Sequence, residues 1–243
     1  MCMKFLLLVV LVLAVGFSGV GQAEESVTVE ASWSLSLDES GKVTALTMKP
    51  GRIKDALREQ LEKAIQQWEF EPGSVNGEPA ATETTLLVDM TVSIGAQSAG
   101  YDVKIDSVNT GGGVKQMSKP KFPGGRSFIQ SVGAMENPMV VLTIVYDDQG
   151  AVESAIVSED SPVKKGQLVD AAMKSIKHWI FEPERVAGHG VRASVYQPIC
   201  FAGKPSQKCS WMPPGSDSAT GRGESVALDS KVRLKSDVIG TTI

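Results

Sequence analysis

The chain has 243 residues, 42% hydrophobic and 21% charged, a balance that excludes collagen, coiled coil and wholesale disorder. Its 24 Lys+Arg and 28 Asp+Glu give a net charge of −4, which argues against a nucleic-acid partner, because phosphate contacts need clustered Lys and Arg. Two His and three Cys leave little material for a metal site.

Residues 1–23 predict a secretory signal peptide. Lys4 precedes an apolar run over 5–20, and Gly21-Gln22-Ala23 supplies a small-x-small cleavage site. The competing reading is a retained anchor, although 16 residues fall short of the roughly 20 that a spanning helix needs. Cleavage after Ala23 would release the mature chain into an oxidising compartment outside the cytoplasm.

The elements that follow are predicted in two rounds. In the first, residues 29–37 form a strand, 38–41 a turn and 43–48 the returning strand. A helix over 53–68 carries Ile53, Leu57, Leu61, Ala64, Ile65 and Trp68 on one face. A loop over 70–79 and a strand over 82–94 complete it. Residues 101–108 are a candidate short strand and 125–135 a candidate short helix, with Phe128, Ile129 and Val132 on one side. The second round has a strand over 140–146, a turn 147–150 ending in Gly150, and a strand over 152–158. Ser161-Pro162 reads as a helix start, and Leu168, Ala171, Ala172, Ser175, Ile176 and Trp179 share a face. A last strand covers 191–201. The tail beyond Cys209 reads as mostly disordered, with one weak strand near 226–234.

The two rounds are an internal repeat. At an offset of 111, residues 57–90 and 168–201 align without gaps and share nine of 34 positions, including Trp68/Trp179, Phe70/Phe181, Glu71/Glu182, Pro72/Pro183 and Gly77/Gly188. The fold class that follows is α+β: two tandem small domains, each a three-stranded antiparallel sheet packed on a helix. The expected boundaries are 24–95 for the first domain, 96–117 for a linker, 118–202 for the second domain and 203–243 for the tail.

Export removes Cys2 and leaves Cys200 and Cys209. Nine positions apart across a Gly-Lys-Pro turn in an oxidising compartment, they are expected to form a structural disulfide contributing about 2–3 kcal/mol. The spacing does not suit a redox-active CxxC pair.

Trp-x-Phe-x-Pro after a helix that itself follows a strand–DxxG–strand hairpin resembles the C-terminal domain of TonB, the energy transducer of Gram-negative bacteria. The second copy also has a Lys119-Pro120-Lys121-Phe122-Pro123 lead-in and a Gln197-Pro198-Ile199-Cys200-Phe201 ending similar to the family's. The resemblance implies an exposed sheet edge at the strand after the helix, where an extended peptide adds as a further strand. Here that edge is Val191, Arg192, Ala193, Ser194, Val195 and Tyr196, with Val191, Ala193 and Val195 facing one side and the others facing out. The expected partner is an envelope protein or peptide segment, an outer-membrane receptor being the one the family supplies. The compartment that the resemblance implies is the periplasm, and the expected function is non-enzymatic periplasmic binding by strand addition. The alternative is a membrane-anchored transducer that keeps residues 5–20, and only then would the chain touch a membrane. Against the alternative, residues 5–20 have no His and the chain has no Pro-rich arm.

No constellation points to catalysis, a cofactor or a metal. Trp68, Phe70, Trp179 and Phe181 read as core residues, and Pro72 and Pro183 as fixing the loop after each helix. No GxSxG elbow occurs, Gly111–Gly113 lacks the Lys-Ser/Thr of a phosphate loop, and His178 and His189 have no third ligand in view.

Overall fold

The structure is a computed structural model that describes residues 26–51, 53–94, 100–120, 126–202, 207, 209–214 and 225–243. The expected signal peptide and the Lys121-Phe122-Pro123 part of the lead-in lie outside the described residues. The fold is mixed and strand-rich, built on curled antiparallel sheet.

Unit 1 opens with β1 (Ser26–Leu37) and β2 (Val43–Met48). Alternation along β1 puts Ala31, Trp33, Leu35 and Leu37 inside and the intervening serines outside. Helix α1 (Asp55–Ile65) lays Leu57, Leu61 and Ile65 on that inner face. The short strands β3 (Phe70–Glu71), β4 (Ser74–Val75) and β5 (Glu78–Pro79) lead to β6 (Thr82–Ile94), which pairs with β1 over twelve rows. After it come β7 (Tyr101–Gly111) and β8 (Gly113–Gln116).

Unit 2 follows α2 (Arg126–Gly133) and repeats the order. It consists of β9 (Met139–Tyr146), β10 (Val152–Val157), α3 (Gln167–Ile176), β11 (Ile180–Glu182), β12 (Arg185–Val186), β13 (His189–Gly190) and β14 (Ala193–Cys200). The sheet order β10-β9-β14 matches β2-β1-β6. The tail adds β15 (Val226–Ala227) and β16 (Arg233–Leu234).

The repeat extends to the turns. Gly41 and Gly150 have φ of 83° and 86°, and each N–H donates to the Asp carbonyl three residues back at 3.0 Å. A Cβ at Gly41 would lie 1.8 Å from the Phe70 carbonyl oxygen, and one at Gly150 would lie 2.0 Å from that of Phe181. Glycine is therefore required twice over, by backbone conformation and by the close approach of the strand after the helix. The Asp38 carboxylate accepts from Ser40 and from the Lys42 N–H, and the Ser40 hydroxyl above all holds it below the usual carboxylate range. The second turn also repeats, with positive φ at Asn76-Gly77 and at Ala187-Gly188, as two-residue hairpins require.

Helix α3 departs from expectation at its start. Ser161 does not cap it. The helix begins at Gln167 after Gly166, whose φ is 94°. The Ser161 hydroxyl instead accepts from the Val141 N–H at 2.9 Å and donates to the Val163 carbonyl at 2.7 Å, closing the loop over β9.

The units are not strung on a linker. Residues 101–116, expected to connect them with at most one short strand, supply β7 to the edge of β6 over ten rows and then β8 to β11 of unit 2. The tail, expected to be mostly disordered, acts reciprocally over its described part. β15 joins the edge of β14, and β16 crosses to β3 of unit 1. Val232 is buried in the unit 1 core, and Ile243 exchanges backbone bonds with Val103. β12 also pairs directly with β6. The segment after each unit thus gives one strand to its own unit's sheet and one to a strand of the other unit.

Candidate functional site

Strand β14 begins at Ala193. Val191 and Arg192 precede it: Val191 donates its N–H to the Glu184 carbonyl, and Arg192 forms an exposed ion pair with Glu153 at 2.7 Å. Ala193 and Val195 point into the core and Ser194 and Tyr196 point away, as the alternation predicted. One edge of β14 pairs with β9 in unbroken register from Ala193↔Tyr146 to Cys200↔Met139.

The other edge, expected to be open, is occupied by the chain's own tail. Val195 lies opposite Ala227, and Tyr196 opposite Val226. The Leu228 N–H donates to the Ser194 carbonyl at 2.9 Å, and the Ser194 N–H donates to Asp229 Oδ1 at 2.9 Å. Ser194 therefore faces the outer edge with both backbone groups. Strand periodicity gives Tyr196, Pro198 and Cys200 the same facing. Proline has no N–H to offer there, so Pro198 blunts the edge just beyond the two rows that β15 fills. The equivalent edge of β6 carries β7 over ten rows and β12 over two.

Residues that the sequence did not single out hold this arrangement. Glu184 is 1% exposed, and its carboxylate accepts from Thr84 Oγ1 at 2.7 Å, Ser230 Oγ at 2.9 Å and the Lys231 N–H at 2.7 Å. It fixes the point where the tail leaves unit 2 for unit 1. Gln197, fully buried, accepts from Ser225 Oγ at 2.6 Å. Neither role is visible locally, because each donor lies 28 to 100 residues away in the chain.

Trp68, Phe70, Trp179 and Phe181 are all buried. Trp179 Nε1 donates to the Ser118 carbonyl at 2.9 Å, and Phe181 stacks on Tyr146 with ring centroids 4.8 Å apart. Burial pushes the Tyr146 phenol well above its ordinary range, so the ring stays neutral. Pro72 and Pro183 are half-buried, each directly after the short strand that follows its helix, β3 and β11.

Cys200 and Cys209 are disulfide-bonded. The closed loop brings Trp211 onto Met139 and Val141, with its ring edge-on to Tyr196 at 5.1 Å. Thiol titration of the unfolded, unreduced protein purified from its native compartment is expected to find no reactive thiol in the chain from Glu24 onward; two would remove the bond.

A cleft of about 450 Å³ runs between the units, lined by Ser32, Lys49, Thr85, Asn109, Met117 and Ala227. Lys49 Nζ is already engaged there by Thr85 Oγ1 at 2.9 Å and Glu182 Oε2 at 2.6 Å. Among the described residues, no three His, Cys, Asp or Glu side chains gather as a metal site would require. Comparison with protein-family models, with curated proteins and with solved structures finds no match in any of the three.

Proposed function

We propose that this chain is a non-enzymatic binding protein of the cell envelope that takes up an extended partner segment by strand addition at β14. This is the mode implied by its resemblance to the TonB C-terminal domain. The observation that carries the reading is the occupied edge. A short antiparallel strand sits on β14 through two rows, with bonds to both backbone groups of Ser194. Strand addition draws its affinity from such main-chain bonds and little of it from particular side chains. The repeated hairpin–helix–strand order supports the family resemblance, and the disulfide suits an exported protein. The partner is an envelope protein or peptide segment.

Two proline substitutions test the reading on a partner captured from envelope extract by the mature chain, residues 24–243. Ser194→Pro removes an outward donor and leaves the β9 ladder intact, so the variant is expected to fold and to lose capture. Val195→Pro places the ring toward β9 and is expected to unfold unit 2. A folded Ser194→Pro chain that captures the partner as well as the parent does would show that recognition lies elsewhere.

A further inference from the structure

We propose that residues 225–229 are a built-in stand-in for the partner strand, and that their chemistry specifies the partner: an extended segment with a small residue followed two positions later by a carboxylate. This rests on the β14 edge being the binding site. The small position is set by Ala227. It lies opposite Val195, and a Cβ built on Gly111 would come within 2.3 Å of the Ala227 Cβ. Val195 is fully buried and the Gly111 backbone stands close to the Ala227 Cβ, so a larger side chain at this position has room only toward the cleft that Ala227 also lines. The acidic position is set by Asp229. The Ser194 N–H is satisfied by its side-chain oxygen, a charge-assisted bond that a neutral side chain does not reproduce. The intervening Leu228 is 44% exposed and supplies only backbone, so that position is free.

The stand-in is held for exchange. It makes two rows where β7, in the equivalent place on unit 1, makes ten. The segment after it is anchored separately. Ser230 and Lys231 bond Glu184, Val232 is buried in unit 1, and the Ile105 N–H donates to the Thr241 carbonyl at 3.0 Å. Residues 225–229 can therefore leave β14 while 230–243 stay in place, returning as an intramolecular competitor. A partner sees an affinity reduced by the fraction of chains in which the edge is free.

The test uses the mature chain and a dye-labelled peptide with the sequence of residues 224–230, blocked at both ends. The double substitution Leu228→Pro, Asp229→Ala removes both bonds to Ser194 at exposed positions and takes no side chain from the core. The peptide is expected to bind this released variant at least tenfold more tightly than the parent. Replacing the peptide's alanine by leucine, or its aspartate by alanine, should each weaken binding about tenfold. Equal affinity for parent and released variant, no binding to the released variant, or indifference to both peptide changes would overturn the proposal. Amide exchange at Ile105 and Ile243 checks that the rest of the tail stays docked. If the released variant captures the envelope partner no better than the parent while Ser194→Pro still abolishes capture, the stand-in fails and the edge reading survives.

Discussion

Trp179→Ala is expected to destabilise the chain by about 3–5 kcal/mol, the cost of emptying a buried aromatic site that neighbours fill only in part. Trp179 is 3% exposed at the end of α3, where its N–H bonds the Ile176 carbonyl and its indole N–H bonds Ser118. The alanine variant loses both the packing and that side-chain bond. It leaves the Ser118 carbonyl to find water, which adds to the cost. Trp68→Ala should act at the same scale in unit 1, where Trp68 is 5% exposed. Because strands cross between the units, both variants should melt as a single transition displaced downward, not as one shifted half and one unchanged half. Denaturant unfolding followed by circular dichroism measures this. A midpoint equal to the parent's would refute the buried placement of the helix ends.

These two tryptophans were legible in the sequence because they end an apolar stripe of helical period, and the stripe occurs twice. The hairpins were legible for a similar reason: alternation along each strand is strong, and Asp-x-x-Gly marks each turn. The crossing strands were not. β8, β15 and β16 are two to four residues long, and a segment that short has no detectable period. Their stability comes from partners far off in sequence, as with Arg233 opposite Glu71 or Val114 opposite Phe181. In the described stretch 225–243 of the tail, Val232 is buried between the exposed Lys231 and Arg233, a pattern that resembles disorder when read alone. The alternation of Ala193 and Val195 against Ser194 and Tyr196 was legible, but the cover that the tail places on the β14 edge was not foreseen. Strand polarity can be read from alternation, whereas which segment fills an edge is a tertiary fact. Ser161-Pro162 misled for another reason. A Ser before a Pro has the chemistry of a helix cap, and the same hydroxyl serves equally well to satisfy the Val141 N–H across a loop.

Glu184→Leu is expected to be the most disruptive single change at the crossing of the tail, costing about 3 kcal/mol or more. Hydrogen bonds to a charged acceptor contribute roughly 1.5–3 kcal/mol each, and buried donors left unpaired add a penalty of their own. Three donors converge on this carboxylate, from unit 1, from the tail hydroxyl and from the tail backbone. Their losses do not simply add, because the Thr84 and Ser230 hydroxyls keep second acceptors in the Gly111 and Val232 carbonyls. The Lys231 N–H donates to Glu184 Oε2 at 2.7 Å and should carry most of the effect. The distinguishing readout is local: amide exchange at Lys231 and Val232 should accelerate more than at Leu142 or Ile144 in the unit 2 sheet. Glu184→Gln keeps one carbonyl acceptor and should recover part of the stability. A Glu184→Leu chain as stable as the parent, with unchanged exchange at Lys231, would mean that the tail is held to unit 1 by its apolar contacts alone. The burial of Val232 and the backbone bonds of Ile243 would then suffice to keep β16 on β3.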